Sequence, residues 1–126
     1  MTVRIGVIGI AGAEVSDSLR AVGDIEPVVA VDMEAASSLA AGELDYLIGV
    51  CESGGGAALA IPIAILGSGR CTNVSKLGRP ATSEEIDDLL ETGTVAFGIA
   101  RDHLGQLVPQ LASAMRRRQA ALPPSA

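Results

Sequence analysis

The 126-residue chain predicts an α/β fold: a single-domain three-layer sandwich around an open, mainly parallel five-stranded sheet of the Rossmann-like or flavodoxin-like kind. Three observations predict it. Five short apolar runs alternate with five stretches of helical periodicity, and the joints between them are short and rich in Gly, Pro and Asp. The composition is 48% hydrophobic yet only 2% aromatic, so the core is built from Val, Ile, Leu and Ala, as suits strands covered on both faces by helices. A chain of this length buries most of its apolar surface in one domain without metals or disulfides. Residues 1–118 are assigned to that domain, and 119–126, with Pro123 and Pro124, to a flexible tail.

The elements follow in order. Val3 to Ile8 is a buried-strand run closed by Gly9 and Gly12, and Glu14 to Val22 carries apolar positions at helical spacing before the Gly23-Asp24 break. Pro27 to Val31 is a second short strand, followed by an alanine-rich helix, Met33 to Ala41, that stops at Gly42. Tyr46 to Val50 is the third strand; it runs through Cys51-Glu52-Ser53-Gly54-Gly55-Gly56 into a helix over Ala57 to Leu66. Cys71 to Ser75 makes the fourth strand. Thr82 and Glu85 have the spacing of a capping box, which predicts a helix over Ser83 to Glu91 ending at Gly93. Val95 to Ile99 is the fifth strand, and Asp102 is the expected N-cap of a last helix from His103 to about Arg118.

Charge narrows the function. The net charge is −6, and Met1 to Ala60 holds nine acids against Arg4 and Arg20. The only basic run, Arg116 to Arg118, falls in a last helical turn, where the helix dipole accounts for it. With few aromatics to stack on bases, nucleic acid is not an expected partner. Cys51 and Cys71 have no metal-ligand spacing, so neither a metal nor another cofactor is expected. The first residues are too strand-like for a secretory signal and no apolar run reaches a membrane span. A cytoplasmic protein with two free thiols is the expectation.

In open parallel sheets ligands bind outside the carboxyl ends of the strands. Here those ends carry Gly9 to Gly12, Asp32, Cys51 to Gly56, Asn73 to Lys76 (with Ser75), and Arg101 to His103. The cysteine-glycine turn is the richest of them. Glycines let a backbone approach a ligand closely, free N–H groups at a helix start attract anions, and a cysteine there is a candidate base or nucleophile. Ser53, Gly54, Gly55 and Gly56 are therefore assigned to ligand binding with Asn73, Ser75, Arg101 and Asp102, and Cys51, Glu52 and His103 to proton chemistry. The plainer alternative is a tight turn with Cys51 as a small buried hydrophobe, Glu52 as a solvent-facing acid or a partner of Arg101 or Lys76, and His103 as a surface residue.

Gly6, Gly9 and Gly12 with Asp32 imitate a dinucleotide fingerprint, but their spacing is not G-x-G-x-x-G, so these glycines more simply permit a close strand-to-helix turn. The stretch Gly54 to Ser68 contains no charge. A helix apolar all round is expected to be buried all round, and for a small chain the second cover is another copy. This predicts a homo-oligomer, most simply a dimer, with Ala57, Ile61 and Ile65 of the segment Ala57 to Leu66 near the interface. The other expected partner is a small anionic metabolite.

The block from Gly42 to Val108, with Gly-Glu-Leu-Asp-Tyr, the cysteine-glycine turn, Val-Ala-Phe-Gly-Ile-Ala and Arg-Asp-His, resembles the YhfU-like family of small bacterial proteins of unknown function. That resemblance implies a compact cytoplasmic protein tied to carbohydrate or phospho-metabolite chemistry. More distantly, Cys51, Ser53, Gly54 and Gly56 are similar to the Cys-x-Thr-Gly-x-Gly turn of type-B ribose-phosphate isomerases. There the resemblance implies Cys51 as the base that moves a proton between neighbouring carbons, and Ser53 with the glycine amides as the hole for enediolate oxygens. Those isomerases carry an Asp-His pair after the first strand, where this chain has Gly9-Ile10-Ala11-Gly12.

Overall fold

The structure, a computed structural model, describes residues 2–53, 57–75 and 78–122. Among the described residues, five strands form one all-parallel sheet: β1 (Val3–Gly9), β2 (Ile25–Val29), β3 (Tyr46–Cys51), β4 (Cys71–Asn73) and β5 (Ala96–Ala100). Their order is β2-β1-β3-β5-β4. Five α-helices follow the strands in turn: α1 (Gly12–Val22), α2 (Asp32–Ala40), α3 (Ala60–Leu66), α4 (Ser83–Glu91) and α5 (Leu104–Ala121). The fold is thus the expected doubly wound α/β class.

Handedness explains the layers. The steps from β1 to β2 and from β4 to β5 cross the sheet one way, and those from β2 to β3 and from β3 to β4 cross it the other way. Right-handed crossovers then require helices on opposite faces. Accordingly α1, α5 and α4 cover one face, where Ile5, Val7, Ile48, Phe97 and Ile99 meet Leu107, Leu111 and Met115. The second face is covered by α2 and α3.

That second face is pared down at its centre. Gly49 of β3 lies beside Gly98 of β5 in the ladder. A Cβ on Gly49 would stand 3.0 Å from the Ala58 Cβ and 3.2 Å from the Ala58 carbonyl oxygen, and one on Gly98 would stand 3.0 Å from Leu59 Cδ1. Two glycines in central strands weaken the strands themselves, and here they admit a 3₁₀ turn, Ala57–Leu59, directly onto the sheet.

Several boundaries depart from expectation for identifiable reasons. β2 starts at Ile25 and takes Pro27 into the edge strand opposite Ile5, a place where a missing N–H is tolerated. The segment after the cysteine-glycine turn is not one helix: the 3₁₀ turn packs first, and α3 starts at Ala60 with Pro62 in its opening turn, where proline fits. Asp102 does not cap α5. Arg101–His103 form a 3₁₀ turn, His103 occupies the N-cap position without a side-chain bond, and Asp102 is exposed. α5 continues to Ala121, and Gln119 Nε2 donates to Tyr46 Oη at 3.0 Å, while Ala120 and Ala121 are exposed; 123–126 lie outside the described residues.

α4 has its expected limits, and the capping box is formed: Glu85 N–H donates to Thr82 Oγ1 at 3.2 Å and Thr82 N–H to Glu85 Oε1 at 3.0 Å. These bonds hold the Glu85 carboxyl below the usual carboxylate range. The charge-free helix α3 buries Pro62 but leaves Ile63 and Ile65 each 39% exposed in the single chain. No described helix is long and apolar enough to cross a membrane.

Gly9 needs a left-handed φ of +84°, and a Cβ there would collide with the Val50 carbonyl oxygen, which accepts the Ile10 N–H at 3.0 Å. Gly42 has a similar φ of +81° with open space around it. Urea unfolding should therefore separate the two substitutions: Gly42→Ala costs about 1–2 kcal/mol, whereas Gly9→Ala costs about 3 kcal/mol or more.

Candidate functional site

Parallel strands deliver their following loops to one rim, so the residues after β3, β4 and β5 meet by construction. Ladder pairing sets Cys51 opposite Ala100 and Asn73 opposite Gly98. Cys51 is half-buried at the end of β3, on the same side of the strand as Leu47 and Gly49. The next residue, Glu52, is exposed and reaches across to the residue after β5: Arg101 Nη1 donates to Glu52 Oε1 at 3.0 Å. Of the partners weighed for Glu52, the structure pairs it with Arg101. Lys76, the other one, lies outside the described residues, as do Gly54, Gly55 and Gly56.

Behind the rim, Ser75 ties three segments together. Its side chain is buried, and Oγ accepts the Ala100 N–H at 2.9 Å and lies 3.0 Å from His103 Nδ1. Its own N–H donates to Asn73 Oδ1 at 2.9 Å. A hydroxyl has one hydrogen, and an amide can only donate. The Ala100 amide takes one lone pair of Oγ, which leaves the hydroxyl hydrogen and a second lone pair for Nδ1, so either tautomer of the imidazole fits this contact. Ser75, expected as a ligand contact, thus spends its hydroxyl inside the protein, bracing β5 and the imidazole.

Ser53 and Asp102 are exposed, and Asn73 is half-buried at the end of β4. At the first strand, Gly9 and the left-handed Ala11, with φ 58°, wrap the start of α1 against the end of β3. Two cavities are formed by other described residues, the first of them reaching Asn73. One of about 310 Å³ lies between β4 and α4, lined by Thr72, Asn73, Arg79, Glu85 and Asp88. The other, of about 680 Å³, is at the opposite end of the sheet beside Val3, Asp24 and Arg116. Burial raises the Cys71 thiol, at the start of β4, above its usual range. Among the described residues no group of three or more His, Cys, Asp or Glu could hold a metal ion.

The brace and the paired glycines were the features that sequence reading missed. Gly49 and Gly98 had a signal, since glycine in the middle of an apolar strand marks a close approach. Ser75 had none: its partners lie 25 and 28 residues away.

Comparison with known proteins agrees with this architecture. The family model "Protein of unknown function DUF2620" matches residues 3–115. The chain is similar to the uncharacterized protein YhfU of Escherichia coli K12, 37% identical over 110 residues that cover 86% of this chain and 94% of the relative, and to the same degree to YhfU of Shigella flexneri. It is also similar to the crystal structure of ribose-5-phosphate isomerase B from Giardia lamblia, with a TM-score of 0.63, 15% identity, and coverage of 95% of this chain and 94% of that one. At that identity the likeness shows the fold.

Removal of the brace should be visible in two ways. Ser75→Ala leaves the buried Ala100 N–H without its acceptor, costing about 1–3 kcal/mol in urea unfolding. The chain has one histidine, so its ring ¹⁵N signals are unambiguous. Native Nδ1 should carry the signature of a hydrogen bond, and Ser75→Ala should lose it.

Proposed function

The chain belongs to the DUF2620 family, and from that premise we propose that it binds a phosphorylated or carboxylated small metabolite at the rim after β3, β4 and β5, and moves a proton between neighbouring carbons of a sugar-like ligand. The observation that carries this reading is the register that sets Cys51 opposite Ala100, the residue directly before Arg101 and His103, at the carboxyl ends of two adjacent strands. Support comes too from the fold shared with a ribose-5-phosphate isomerase. Ligands of doubly wound sheets occupy this edge.

The chemistry follows from those groups. Cys51, as thiolate, takes the proton from the carbon beside a carbonyl, and the electron pair of that C–H bond moves toward the carbonyl oxygen to give an enediolate. The hydroxyl hydrogen passes from the second oxygen to the first by way of the His103 ring, and the same sulfur returns the proton to the neighbouring carbon, which completes an isomerisation with no outside reactant. The enediolate oxygens need preorganised donors, and Ser53 and the amides of residues 54–56 supply them. Asn73 and Asp102 contact the polar substituents. Anion binding is the simpler part of the reading and stands without the catalytic part.

A second reading, a non-catalytic oligomeric subunit, is favoured by one observation: Ile63 and Ile65 are exposed on a helix without charge. On that reading a second copy covers α3 and Cys51 is inert.

Thermal melting across a panel of sugar phosphates is expected to give a ligand-dependent upward shift that Gly55→Asp abolishes, and a flat panel rejects anion binding. Cys51→Ser should retain the shift while losing solvent-deuterium incorporation into the bound sugar. If Cys51 reacts with a thiol reagent no faster than a free thiol, the catalytic step fails. In sedimentation, a dimer that Ile63→Glu converts to monomer supports the α3 interface, and a native monomer removes it.

A further inference from the structure

Of the ion pairs among the described residues, the one between Arg101 and Glu52 lies at the rim. Among the described residues, Arg4 also donates to the Gly42 carbonyl oxygen, and Arg116 to the Val22 carbonyl oxygen as well as to Asp24. Arg117 joins α5 to Asp87 of α4. Those pairs have structural work at helix ends and chain turns. The Arg101–Glu52 pair instead joins the loops after β3 and β5, at the rim itself, through the single contact from Nη1. Both side chains are largely open to water, at 50% and 72% exposure.

Such a pair is weak and exchangeable. Exposed ion pairs are worth about 0–1 kcal/mol, because water screens them and two long side chains must be ordered. One contact also leaves most of the guanidinium fork, the part suited to bidentate oxyanions, without a protein partner among the described residues. A tethered carboxylate nevertheless has an advantage over a free one, since its effective concentration is in the millimolar range or above. A dianionic phosphate exceeds it in charge; a free monocarboxylate does not. In a chain of net charge −6 this difference matters, because few cations face an incoming anion.

We propose that Glu52 is a resident competitor: its carboxylate holds Arg101 in the unliganded protein, is displaced by the ligand's anionic group, and so makes the rim select dianionic phosphates over monocarboxylates. This rests on the reading that the rim binds an anion, and it names the ligand class and the anchoring residue. Glu52 then acts through Arg101 and touches no reacting atom.

The test uses inorganic phosphate and acetate as probes in low-salt NMR titrations of the full chain. Native protein should bind phosphate and show no saturable response to acetate. Glu52→Gln should bind phosphate roughly three- to tenfold more tightly and gain acetate binding. Arg101→Gln should lose phosphate binding, and the double variant should behave like Arg101→Gln alone. Thermal melting should be little changed in each. Tighter binding that requires Arg101 supports the competitor. Phosphate binding that is unchanged or weaker in Glu52→Gln, or retained in Arg101→Gln, overturns it while leaving the anion site intact; binding by no variant, native protein included, overturns both.

Discussion

The ladder between β3 and β5 is the constraint on which the rest of the molecule depends. Its register puts Gly49 beside Gly98 and Cys51 beside Ala100. The first pair removes two side chains from the second face, so that Ala58 and Leu59 settle directly on the sheet. The second pair brings the loop after the thiol against the loop that carries Arg101 and His103. A slip of one residue would reverse both faces and separate both pairs. Packing and chemistry thus share one register, and close packing at 57–59 fixes where the chain that leaves Cys51 must return.

The two ends of the sheet are held differently. At the amino ends, Asp45 accepts the Arg4 N–H and pairs with its guanidinium, Arg116 grips the turn before β2, and Gln119 meets Tyr46. Helix α5 therefore closes that end with its last turns. At the carboxyl ends the polar groups are arranged around Ser75, which satisfies a buried amide and orients a ring, while the charged groups stay in water. A rigid inner brace beneath exchangeable outer charges is what a ligand edge needs.

Much of the fold was legible because its signals are local. Apolar runs bounded by glycine gave all five strands, and the Thr82–Glu85 box gave α4 to the residue. Errors arose where a neighbour outvoted a local preference. Asp102 is a good cap in isolation, but the chain leaving Ala100 enters a 3₁₀ turn first and moves the helix start to Leu104. The Ala57 to Leu66 run has helical composition throughout, yet its first three residues adopt the tighter turn that packs on Gly49 and Gly98. Insertion of β5 between β3 and β4 is a choice among sheet positions, and no run of residues encodes it.

The site divides along the same line. Parallel topology made it possible to assign Cys51, Glu52 and Arg101 to one edge, because any strand end in such a sheet faces that way. Which of them touch depends on strand order, and an inserted β5 is what brings Arg101 to Glu52. With β4 beside β3 instead, the residue facing Glu52 across the ladder would belong to the loop after β4. Pairing of a carboxylate with the rim's arginine is therefore a consequence of topology, acting through a ladder in which two glycines, Gly49 and Gly98, admit close packing. Electrostatics at this edge are set by sheet order first and by residue type second, and this is why composition alone marked the neighbourhood without showing which of its residues pair.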